Sequence, residues 1–154
     1  MNFQTMNKQR KFILIAAAVG LISIFLPWVT VSFGGFGGGS VNGFHGSGIL
    51  VFLGFAGAGV VSYLGDQTKT LEKTMWMVAL LAGGVAALFT VINLVNILTT
   101  SYVSAGFGLW VAVAACAGIL YSAWMYKNPG DDIKSGFDSL KKDIGDKTNQ
   151  PPQA

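Results

Sequence analysis

Residues Pro27 to Gly48 read PWVTVSFGGFGGGSVNGFHGSG, a stretch without a single Lys, Arg, Asp or Glu. Its surroundings decide how the chain is read. Toward the N-terminus no formal charge occurs back to Phe12, and toward the C-terminus none occurs until Asp66. A second uncharged stretch runs from Thr74 to Tyr126. Charged residues make up 11% of the chain, where globular chains carry about 25%. Hydrophobic residues make up 52%. A water-soluble surface needs charge, and two gaps of this length leave none for it. Apolar segments of about 17–25 residues match the thickness of a hydrocarbon core.

The expected fold class is therefore an all-α membrane protein, a four-transmembrane-helix bundle with a Gly-rich external loop that forms a short β-hairpin. The expected spans are about 12–31, 48–64, 74–98 and 106–126, making residues 1–126 one transmembrane domain. Residues 127–154 form a tail. A basic start before an apolar run also describes a signal peptide, but no A-x-A-like cleavage site or lipobox cysteine follows, so the first span is read as an uncleaved anchor. Pro27 is expected to end or kink that helix, because proline lacks the N–H and clashes one turn back. Trp28 then falls at the interface, where amphipathic rings concentrate.

Orientation follows from the cations. All ten Lys and Arg residues flank the same ends of the spans: Lys8, Arg10, Lys11, Lys69, Lys73, Lys127, Lys134, Lys141, Lys142 and Lys147. The positive-inside rule places those ends, and both termini, in the cytoplasm of a plasma or inner membrane. The loop from Pro27 to Gly48 faces outside.

Within that loop Val29, Val31 and Phe33 alternate with Thr30 and Ser32, the period of a strand. Val41–Phe44 is expected to return as a second strand, with Asn42-Gly43 as a turn signal. Trp28, Phe33, Phe36, Phe44 and His45 are the candidate external interaction residues. Inside the spans, Thr90, Asn93 and Asn96 recur every third residue and form a candidate polar vestibule. Small residues at four-residue spacing (Ala79, Gly83, Ala87; Gly108, Ala112, Cys116; Ala114, Gly118, Ser122) suit close helix packing in lipid. They predict either packing within the chain or contact with further copies or another membrane protein. In the tail, Ile133, Phe137, Leu140 and Ile144 share one helical face, which predicts an amphipathic helix over 131–145 on the membrane or the bundle.

Several chemistries are excluded. The glycine-rich loop lacks the Gly-Lys-Ser/Thr of a phosphate-binding loop. The basic residues flank apolar spans, which argues for lipid and against nucleic acid. His45 is the only histidine and Cys116 the only cysteine, so a metal site lacks ligands. No serine has a histidine and an acid on its own side of the membrane. No Asp, Glu, Lys or Arg lies within a span, the residues that proton relays and charge-coupled transport use. No enzymatic activity and no cofactor are expected.

The first external loop invites comparison with claudin-type tetraspans, but the loop has no cysteine pair, and Gly108-Leu109-Trp110 opens the fourth span instead. Pro27-Trp28 followed by Asn42-Gly43-Phe44 resembles small uncharacterised bacterial four-span membrane proteins. That resemblance covers the first two spans and implies no activity. The function expected from the residues is a scaffold or interaction subunit acting through helix packing and the external loop. The alternative is an oligomeric pore lined by Thr90, Asn93 and Asn96.

Overall fold

The computed structural model describes residues 3–32 and 38–149. In chain order the elements are α1 (Lys8–Phe25), β1 (Pro27–Ser32), β2 (Gly38–Asn42), α2 (Gly48–Tyr63), α3 (Lys73–Thr99), β3 (Val103–Ala105), α4 (Phe107–Met125) and α5 (Ile133–Asn149). The strands form one antiparallel sheet in the order β2-β1-β3. Helix α2 packs between α1 and α3, α4 packs against both α3 and α1, and α5 lies on α3.

The expected all-α class with four spans is corrected by this fold. Among the described residues only α3 and α4 are long and apolar enough to cross a membrane, with mean hydropathy 2.3 and 1.7. The first expected span stops short at Phe25. Pro27 offers no N–H to the last turn and disfavours helical backbone at the residue before it, and Leu26 is extended, with φ −79° and ψ 160°. Residues expected to finish that span are strand β1 instead. The apolar part of α1, Phe12 to Phe25, covers only about 21 Å. Helix α2 has 16 residues, about 24 Å, against a hydrocarbon core of about 30 Å. The sheet adds a β component that the all-α class left out beyond a hairpin.

Helices α3 and α4 do not owe their apolar composition to burial. Only 22% of the apolar window of α3 is buried, and 44% of that of α4. Leu81, Val85, Leu88, Val91 and Val95 of α3 point outward, as do Trp110 and Tyr121 of α4. The inward faces meet through small residues. A Cβ on Gly54 of α2 would lie 2.7 Å from the Ala82 carbonyl oxygen of α3, and one on Gly83 of α3 would lie 2.7 Å from Ile119 Cγ2 of α4. The row containing Gly83 is thus used for packing within the chain. Ile13, Ile24, Phe55, Trp76, Leu109 and Ile119 fill the centre.

The end of the molecule opposite the sheet is held by polar side chains of α1. Arg10 is 2% exposed. Its Nε donates to the Lys69 carbonyl at 2.8 Å, and its Nη1 donates to the carbonyls of Ser62 (3.3 Å) and Leu64. The last carbonyls of a helix have no partner within it, so Arg10 closes the end of α2 and the loop after it. Burial pulls the Arg10 guanidinium below its ordinary value, while Asp66 and Glu72 pull it back up. A guanidinium starts so high that it stays charged. Gln9, 1% exposed, donates from Nε2 to the Ala123 carbonyl of α4 at 3.3 Å and accepts from Leu71 N–H at 3.0 Å. Trp76 Nε1 donates to the same Ala123 carbonyl at 2.7 Å.

Replacing Arg10 by Ala leaves these carbonyls without their donor, which is expected to cost about 2–3 kcal/mol. Arg10→Lys restores only part of this, because one ammonium cannot reproduce the planar fork of donors. Denaturant unfolding of the detergent-solubilised chain measures both. A wild-type midpoint for Arg10→Ala would show that the clasp contributes nothing.

Candidate functional site

The sheet end carries most of the residues singled out in the loop. Strand β1 is central. It pairs with β2 through Pro27↔Asn42, Val29↔Val41, Thr30↔Ser40, Val31↔Gly39 and Ser32↔Gly38, with an irregularity between Pro27 and Val29. On its other edge it pairs with β3 through Val29↔Ala105, Thr30↔Ser104 and Val31↔Val103. The loop after α3 therefore completes a sheet begun by the loop after α1. Tyr102, just before β3, has φ 65°, a left-handed conformation that costs a non-glycine residue energy. Its carbonyl accepts from Ser32 N–H at 3.3 Å, and its side chain is 82% exposed.

Trp28 is not offered to solvent. It is 3% exposed, and its Nε1 donates to the Ser23 carbonyl at 2.8 Å. That is the carbonyl left open by Pro27, and Leu26 N–H shares it at 3.2 Å. The indole lies against two glycines: a Cβ on Gly43 would come within 2.6 Å of Trp28 Cε2, and one on Gly108 within 2.9 Å of its Cδ1. The backbone closes the same joint, with Gly43 N–H bonded to the Ile24 carbonyl and Gly106 N–H to the Trp28 carbonyl, both at 2.8 Å. Trp28 is thus a buried wedge joining α1, the hairpin and the start of α4.

Phe44 is 38% exposed and packs edge-on to Phe25 (5.2 Å between centroids) and tilted against Phe52 (5.5 Å). Asn42 Oδ1 accepts from Phe44 N–H at 3.3 Å and lies 3.1 Å from His45 Nδ1. An amide oxygen only accepts, so this contact is a hydrogen bond in the form of His45 that carries a proton on Nδ1. Phe25, Pro27, Ser40, Val41, Asn42 and His45 line an open cleft of about 360 Å³. Phe33 and Phe36 lie outside the described residues.

The three polar residues of α3 singled out in the sequence have different partners. Thr90 is buried, donates to the Ala86 carbonyl at 2.7 Å and lies 3.7 Å from Cys116 Sγ of α4. Asn93 is half-buried and donates to Ser47 Oγ (2.9 Å) before α2 and to the Phe89 carbonyl (2.7 Å). Asn96 is exposed, and its carbonyl accepts from Thr99 and Thr100. The three residues face α4, the start of α2 and the outside in turn. Among the described residues no group of three or more His, Cys, Asp or Glu side chains is placed to hold a metal ion.

Sequence reasoning missed β3, the Asn93–Ser47 bond and the burial of Trp28. The signal for the last was present: a proline one residue before a tryptophan leaves one carbonyl open and one indole N–H near it. No family model, curated protein or solved structure matches the chain.

Trp28→Phe keeps the ring but removes the donor to Ser23, and is expected to lower stability by about 1–2 kcal/mol. Gly43→Ala and Gly108→Ala force the indole from its seat and are expected to cost more, about 2–3 kcal/mol, as overpacking does. Thermal unfolding in one detergent ranks the three. Equal midpoints for all would remove Trp28 as the joint.

Proposed function

We propose that this chain is a non-catalytic interaction subunit of a plasma or inner membrane, anchored by α3 and α4, that presents its three-stranded sheet on the non-cytoplasmic side. The observation that carries the reading is the division of its surface. The outward faces of α3 and α4 are apolar, and those of α1 and α2 add Ile15, Val19, Ile22, Leu53 and Val60. An exposed apolar surface of this extent needs lipid or protein against it. Aromatic rings mark both ends of α4: Phe107 and Trp110 at the start, Trp124 and Tyr126 at the finish. Phe107 to Tyr126 measures about 28 Å along a helix, near the thickness of the hydrocarbon core. Lys127 Nζ lies 4.0 Å from the Trp124 ring centroid, the way a cation reaches out from the interface.

Every Lys and Arg lies at the end away from the sheet, which supports cytoplasmic termini. All seven acidic residues lie there too, separated from His45 by the length of α2. That separation supports a recognition role for the sheet end over an acid–base one. The surface offered there is Phe44, His45, Tyr102 and the open edge of β2.

A Ser40→Cys variant tests the orientation. Cys116 is buried, so the new thiol is the one an impermeant reagent reaches, and labelling is expected from outside intact cells only. Labelling only after lysis would reverse the orientation. For the interaction role, a photo-crosslinker at Ser40 or Ser104 is expected to give discrete adducts in native membranes. The same group at the lipid-facing Leu88 should give none. Adducts that do not depend on position, or none from the sheet, would sink the reading.

A further inference from the structure

We infer that α5 is a membrane-surface helix that docks on anionic lipid headgroups beside the first turns of α3, an inference that rests on the membrane reading above. Helix α5 is too polar to cross a bilayer, yet Ile133, Phe137 and Ile144 are 56%, 57% and 58% exposed. The fourth member of their stripe, Leu140, is partly buried against the core. At 100° per residue the helix presents four successive faces. One carries Gly136, Leu140 and Asp143, and it is seated on α3. A Cβ on Gly136 would meet Met77 Cε at 2.7 Å and Trp76 at 3.1 Å, and Thr74 Oγ1 donates to Asp143 Oδ2 at 2.7 Å. The next face is the open apolar stripe. The face beyond it, turned away from α3, carries Lys134 and Lys141, both exposed.

Two features identify what covers the stripe. The first is depth. Helix α3 begins at Lys73, so contact with Trp76 and Met77 sets α5 level with the first turn of the span, where headgroups meet acyl chains. Exposed Trp124 and its partner Lys127 lie at the same end of α4. The second is charge. The lysines border the stripe on the side that is free of protein, where a helix lying in the interface meets lipid phosphates. Asp138 and Lys142 fall on the remaining face, toward water. A basic-edged apolar stripe at that depth fits a surface with fatty chains below and negative charge beside it.

The test uses the full chain reconstituted in nanodiscs of neutral phosphatidylcholine or of a mixture with anionic phosphatidylglycerol. An environment-sensitive fluorophore is placed on Ile144→Cys, on Asp138→Cys and on Leu88→Cys in a Cys116→Ser background. Quenching by lipids spin-labelled near the headgroup is expected at position 144 and several-fold weaker at 138. Quenching at 144 should be stronger in the anionic discs. Lys134→Glu with Lys141→Glu should abolish that lipid dependence, and Lys142→Glu should leave it unchanged. Equal quenching at 144 and 138, or quenching indifferent to lipid charge, would overturn the inference. Shielding at 144 that appears only with two chains per disc would overturn it in favour of a second copy. Deep-label quenching at Leu88 reports insertion separately: its loss would defeat the membrane reading itself, and its presence without quenching at 144 would defeat only the role of α5.

Discussion

Pro27 removes the N–H that would close the last turn of α1 onto the Ser23 carbonyl, and Ser23 is fully buried. A buried carbonyl without a donor is costly. The chain meets that cost with the indole of the next residue, Trp28, and with Leu26 N–H. This solution dictates much of what surrounds it. The indole must turn inward, so β1 leaves α1 in a fixed direction. Gly43 and Gly108 must lack side chains where the indole lies. The Trp28 carbonyl then meets Gly106 N–H, which brings the start of α4 to the same point and aligns β3 with β1. One missing hydrogen bond is thereby converted into a joint that ties three separate parts of the chain together.

The opposite end solves the same problem with a different residue. Helix α2 ends at Tyr63 with open carbonyls, and a guanidinium from α1 supplies the donors. Its five N–H groups are arranged to reach several acceptors at once. Gln9 and Trp76 converge on the Ala123 carbonyl of α4 from two other helices. Among the described residues no buried side-chain nitrogen or oxygen lacks a partner. Between these two polar ends the helices touch through small and branched apolar side chains. The polar bonds therefore set which helix ends meet, and the apolar contacts set how closely the shafts approach.

The sequence made some of this legible and hid the rest for identifiable reasons. The charge-free stretches read correctly as helices at α3 and α4, because their hydrophobicity is long and unbroken. The alternation of Val29 and Val31, and the return at Val41, pointed to paired strands where β1 and β2 lie. The error was one of length. Apolar residues of β1 have the same hydropathy as apolar residues of a span, so counting them extended α1 past Pro27 to Val31. Strand β3 was invisible because three residues have no period of their own and exist as a strand only through pairing with β1. Arg10 read as one of three flanking cations. Nothing in its sequence position distinguishes a buried guanidinium that caps another helix from the exposed Lys8 two residues away. Trp28 and the trio Thr90, Asn93 and Asn96 were grouped by residue type, and type does not report the direction in which a side chain points.

The sheet also explains why α1 and α2 can be shorter than α3. Helix α3 has 27 residues, about 40 Å of rise, which exceeds the apolar length of α1 or the whole of α2. The space left beside α3 is filled by strands, and strands carry backbone groups that an apolar surrounding does not satisfy. Strand β1 meets this requirement because it is bonded on both edges. Strands β2 and β3 are bonded on one edge only, so their outer edges need water or another polar partner. The burial pattern agrees: β2 is exposed at every position except Val41, whereas Trp28 in β1 is buried. A two-stranded hairpin would have left β1 with an open edge against α4. The third strand, supplied by the turn between the two long helices, closes that edge, so β1 depends on the loop after α3 for its second set of partners.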